Sequence, residues 1–147
     1  MKKLFFAATA AMAILFTSCE KDPVEEPAVR FSLEATSAMG SGRASSVEID
    51  AKVKFKNLES TAITIKWQRY DVVVPTNWQV ATCDNEQCRV PAVTEYTMTI
   101  PANDSFDMKA VFYPNNEVGT GTARIRVFDP ADSARTVQSI LYTAEAN

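Results

Sequence analysis

The stretch VEIDAKVKFK sets Val47, Ile49, Ala51, Val53 and Phe55 in alternation with Glu48, Asp50, Lys52, Lys54 and Lys56. A period of two sends successive side chains to opposite faces, so these apolar groups share one face only in a strand. The same rhythm returns in Val29, Phe31 and Leu33; in Ile63, Ile65 and Trp67; in Tyr96, Met98 and Ile100; in Phe106, Met108, Ala110 and Phe112; and in Ala123, Ile125 and Val127. Between them lie MGSG, KNLEST, PAND, YPNNEVGTG and DPADSA, rich in the residues that turns require. Some seven or eight short strands so punctuated predict an all-β chain, an antiparallel immunoglobulin-like β-sandwich over residues 29–147, with a barrel as the alternative closure.

Ahead of this text stands MKKLFFAATAAMAILFTSC: two lysines, an apolar run from Leu4 to Phe16, then small polar residues before Cys19. That order predicts a cleaved export signal over residues 1–18, its apolar run being shorter than the roughly 20 residues a membrane-spanning helix needs. FTSC resembles the lipobox of bacterial lipoproteins, which implies lipidation of Cys19 and a lipid anchor in the membrane. Two or three acyl chains there, at about 0.8 kcal/mol per buried methylene, would hold the chain essentially permanently.

Residues 19–28 continue as an acidic, proline-containing tether with little to bury. Its Glu20, Lys21 and Asp22 resemble the export signal of surface lipoproteins of the Bacteroidetes type, with Pro23 where that pattern has a second acid. The expected location is therefore the outer membrane, on the cell surface or on the periplasmic face.

Loss of Lys2 and Lys3 with the leader leaves 13 basic residues against 18 acidic ones, a net charge of −5. The basic residues are scattered, which argues against nucleic acid as a partner. A protein or glycan partner in the envelope is the expectation. The 129 residues from Cys19 onward suffice for one domain with a real core.

A further resemblance is carried by VKFKNLESTAITIKW, YTMTIPANDSFDMKAVFYP and GTGTARIRVFD, covering residues 47–129. Their layout is similar to that of major-sperm-protein-like and Hydin-type immunoglobulin-like domains. It implies a fold, not an activity. The Trp78 to Cys88 insertion resembles a variant seen in exported Bacteroidetes-type proteins.

With Cys19 committed to lipid, Cys83 and Cys88 remain as an even pair in an oxidising compartment, and a disulfide follows. The chain has no histidine, so two thiolates make a poor zinc site. Redox pairs usually hold two residues between the cysteines; here there are four. No metal, cofactor or catalytic residue is therefore assigned. Without histidine, catalysis would fall to carboxylates and lysines. The acids Asp84, Glu86, Asp104, Asp107, Asp129 and Asp132 are read as turn formers, a weak calcium site or a hydrolytic carboxylate pair being the alternatives.

Trp67 belongs to the core face of its strand. Trp78 either closes one end of the core or stands at the surface as a recognition platform with Tyr70 and Val72, Val73 and Val74. The candidate partner contact comprises Trp78 and the ring residues Asp84, Asn85, Glu86 and Gln87, displayed by the disulfide loop. Asp132, Ser133 and Ala134 resemble the O-glycosylation acceptor of Bacteroidetes-type exported proteins, with Ser133 as the acceptor.

The function expected from this architecture is a membrane-anchored lipoprotein acting as a binding, adhesion or envelope-assembly module. The alternative is an accessory subunit of an outer-membrane complex, pairing through an exposed sheet edge. A carboxylate hydrolase or thiol oxidoreductase is the third reading.

Overall fold

The computed structural model describes residues 30–147. The leader, Cys19, the tether and Val29 of the first apolar alternation lie outside the described residues. Ten strands and one short helix follow in order: β1 (Phe31–Leu33), β2 (Ser37–Gly42), β3 (Ile49–Asn57), β4 (Ile63–Val73), β5 (Gln79–Cys83), β6 (Cys88–Arg89), β7 (Glu95–Ile100), β8 (Ser105–Tyr113), β9 (Gly119–Phe128), α1 (Ser133–Thr136) and β10 (Gln138–Ala146).

They form two five-stranded sheets, ordered β1-β3-β8-β5-β6 and β2-β10-β9-β4-β7. Each sheet turns its apolar alternates inward. Along β3 these are Ile49, Ala51, Val53 and Phe55; along β4 they are Ile63, Ile65 and Trp67. Large apolar side chains contribute roughly 1.5–3 kcal/mol each when fully buried, and the two inner faces supply most of them. Phe31, Phe55 and Phe106 stack in series at centroid distances of 5.0 and 5.2 Å. Tyr142 on β10 reaches across the core, its hydroxyl donating to the Met108 carbonyl of β8 at 3.0 Å. Burial raises the pKa of that phenol, so it remains a donor at ordinary pH.

Three expectations need correction. Val47, expected on the apolar face, is 85% exposed because the strand begins at Ile49. MGSG was expected to turn, yet Met39 to Gly42 form most of β2, which pairs in parallel with β10. A Cβ on Gly40 would lie 2.3 Å from the Asp50 carbonyl oxygen, so glycine is there to let β2 pass β3. Third, the final GTG of YPNNEVGTG opens β9, while Asn115 and Asn116, at φ 50° and 63°, make the turn before it.

The chain enters the sandwich by giving one strand to each sheet, β1 to β3 and β2 to β10. After β4 it changes sheet again. β5 and β6 form a hairpin at the edge beyond β8, then β7 returns to the edge beyond β4. Both short edge elements thus lie on one side of the sandwich, and the candidate site is built there.

Candidate functional site at the open strand edges

Cys83 and Cys88 oppose one another across β5 and β6 and are joined by a disulfide. The loop between them is held from within. Asp84 turns inward: its Oδ1 accepts from the Glu86 and Gln87 amides at 3.0 and 3.1 Å, and its Oδ2 from Trp67 Nε1 at 3.1 Å and Arg89 Nε at 3.0 Å. Burial pushes the Asp84 pKa up, but the hydrogen bonds from Arg89, the two amides and the indole outweigh it and hold the carboxyl below its usual range. Arg89 also donates to Glu86 Oε2 at 2.7 Å and lies 3.5 Å above the Tyr96 ring centroid. Its pKa is raised, with the Asp84 hydrogen bond the largest cause.

The expectation of four displayed ring residues is therefore corrected. Asp84 is buried and serves as the loop's internal acceptor. Asn85 is half-buried, its Nδ2 donating to the Thr99 carbonyl at 2.9 Å. Only Glu86 and Gln87 face solvent. Trp78 is 4% exposed and so is not a platform. Its Nε1 donates to the Glu117 carbonyl at 2.8 Å and its ring meets the Phe112 ring edge-on at 6.3 Å. Gly121 of β9 makes the room: a Cβ there would lie 3.0 Å from Trp78 Cε3.

The apolar patch expected around Tyr70 is divided between two faces. Tyr70 sits on the outer face, its hydroxyl 2.8 Å from Ser139 Oγ and the Arg126 guanidinium 5.6 Å from its ring. Asp71, at φ 48°, then carries a register shift between Tyr70 and Val73 against β9. Such a bulge re-aims the strand that follows. Val72 and Val74 turn to a groove, and Val73 between them stands 69% exposed.

That groove has a volume of about 550 Å³ and is walled by Val72 and Val74 from the end of β4 and its loop, by Trp78 and Val80 around β5, and by Val90 and Pro91 after β6. Among the described residues, two strand edges run beside it unpaired. β6 pairs with β5 only at Thr82 and Cys83, leaving Gln79 to Ala81 without a neighbour on that side. β7 pairs with β4 only as far as Gln68, and the Arg69 amide donates to the Thr94 carbonyl, leaving Tyr70 to Val73 open.

Arg69 lines the same groove and was not singled out from the sequence. The signal was present in ITIKWQR, where Arg69 continues the buried series Ile63, Ile65 and Trp67. Its side chain is buried, with Nη1 donating to Thr82 Oγ1 at 3.1 Å and Nη2 to the Pro91 carbonyl. Burial lowers its pKa.

The remaining acids behave as turn and surface groups. Asp129 pairs with Arg30 and accepts from the Ala131 amide; Asp132 pairs with Arg135; Asp107 faces Lys52 and Lys54; Asp104 accepts from the Ser105 amide. Among the described residues no three metal-capable side chains converge, and no helix is long and apolar enough to cross a membrane. Ser133 is exposed at the start of α1.

Solved structures resemble this chain in fold. The N-terminal domain of PorA is similar at a TM-score of 0.57 with 14% identity, over 80% of this chain and 97% of that one. The fold is an immunoglobulin-like β-sandwich. PapD-like domain 7 of human CEP192 is similar at 0.50 with 7% identity, covering 97% of each chain. A C. elegans major-sperm-protein family member, WR4, stands at 0.44 with 8% identity over 80% of this chain and 98% of WR4. No protein-family model matches the sequence, and no curated protein matches it. At such identities the likeness concerns the fold.

Proposed function

We propose that this chain is an exported lipoprotein, anchored through Cys19, whose immunoglobulin-like domain is a binding or assembly module of the cell envelope. The domain engages an extended segment of a partner protein in the groove between β4 and β5. The observation that supports this is the pairing of an apolar groove with two open strand edges. An added strand gains main-chain hydrogen bonds from such an edge and takes specificity from the pockets beside it. The partner contact expected on the disulfide loop moves accordingly to the neighbouring groove, which has Trp78 in its wall and does not include Glu86 or Gln87.

A photo-cross-linking amino acid at Val73, compared with one at the exposed Lys52 of β3, which β8 separates from β5, tests the reading in whole cells of the native host. A discrete adduct from position 73 and none from position 52 is expected. Equal or absent cross-linking at both would remove the groove from the proposal. Cys19→Ala should move the protein from the detergent phase to the aqueous phase, and protease shaving of intact cells reads which face of the envelope it occupies.

A further inference from the structure

Arg69 is the one feature of the groove that its apolar walls and open edges leave unexplained. Its exposure is only 7%, yet among the described residues no carboxylate lies within ion-pairing distance of it. Arg89, buried just as deeply, has both Asp84 and Glu86. A guanidinium carries five N–H donors, and Arg69 directs only two of them, one to Thr82 and one to Pro91. A charge held out of water without a counter-charge is costly, whereas a planar fork pairs well with a carboxylate.

We propose that the groove is a carboxylate-reading peptide site: an extended apolar segment lies along the open edge of β5 at Gln79 to Ala81, with a carboxylate on the Arg69 guanidinium. The proposal rests on the groove being the partner site, and adds the chemistry of the partner. Val72, Val74, Val80 and Trp78 supply walls for apolar side chains, and among the described residues the only charge lining the groove is that of Arg69. The carboxylate is either a chain terminus or an Asp or Glu side chain.

The test uses the exported Cys19→Ala chain, unlipidated and with its disulfide formed. Three probes are titrated while the Arg69 Nε–Hε signal and the amides of Gln79, Val80 and Ala81 are followed by NMR: acetyl-Thr-Val-Thr-Val with a free carboxyl end, the same peptide amidated, and acetyl-Thr-Val-Asp-Val-amide. Saturable shifts at these four positions are expected with the first or third probe, at least about tenfold tighter than with the neutral amide. Whichever acid binds identifies terminus or side chain as the source. Arg69→Gln should erase the preference. Val90→Glu, which adds a carboxylate to the groove wall without touching Arg69, should do the same and covers the case in which Arg69→Gln fails to fold. Equal affinity for the acid and amide peptides, saturation by inorganic phosphate but by no peptide, or a preference that survives Val90→Glu would each overturn the proposal. A cross-link at position 73 that persists alongside any of these would leave the groove standing and remove only its preference for a carboxylate.

Discussion

Trp67 Nε1 donates to Asp84 Oδ2 at 3.1 Å, tying the middle of one sheet to the disulfide hairpin of the other. Among the described residues the indole has no other hydrogen-bond partner, and the carboxylate receives Arg89 on the same oxygen. This buried acceptor accounts for the orientation of the whole loop.

Asp84→Asn should lower stability by about 3 kcal/mol, because it leaves the buried Arg89 short of its counter-charge. Denaturant melts read the loss. The pH dependence follows from the lowered pKa of Asp84. A carboxyl held lower in the fold than in the unfolded chain stabilises fully above the unfolded value of about 4, and that contribution is lost as pH falls through the folded value. Below pH 4 the wild-type chain should therefore lose stability more steeply than the Asp84→Asn variant.

Replacing both Cys83 and Cys88 by serine should cost about 2 kcal/mol, since a ring this short removes little entropy from the unfolded chain. The Asp84 network should keep the hairpin in place. Amide shifts outside residues 79–89 are expected to stay unchanged while the melting temperature falls.

Asn57 is fully buried, and its Nδ2 donates to the carbonyls of Thr61, Ile100 and Pro101 at 2.9, 3.2 and 2.8 Å. Asn57→Asp would point a carboxylate at three carbonyl oxygens. A loss of about 3 kcal/mol or more is expected by equilibrium unfolding, a large value for a change of one atom.

Gly40→Ala should destabilise by about 2 kcal/mol or more, because the new Cβ meets the Asp50 backbone and backbone cannot rotate aside. Gly42→Ala is the milder companion, its nearest contacts being Ile49 and Ser46 side-chain atoms at 3.0 Å and beyond. Comparing the two melts isolates the strand crossing.

Much of this was legible in the residues themselves. Alternation in VEIDAKVKFK and ITIKW carries the strand period because each buried side chain has only one face to occupy, and the asparagine turns before β8 and β9 need φ values few residues adopt. The pairing of Cys83 with Cys88 was legible too, because assigning Cys19 to the lipid anchor leaves them as an even pair, with four residues between them, in a chain expected to be exported. β2 was hidden: SAMGSG has no apolar rhythm, its one large apolar residue, Met39, being exposed, and its small residues answer to the passing of β3, a contact between distant segments.

Local pattern thus determined that this chain is all-β, where its main strands lie and that its loop is stapled. Tertiary structure alone decided which way Asp84 and Trp78 face, and that Arg69 lines a groove between two open edges. The reason is one of range. Side-chain period and turn chemistry act over a few residues, whereas the burial of Asp84 depends on Trp67, 17 residues away, and that of Trp78 on Glu117, 39 residues away.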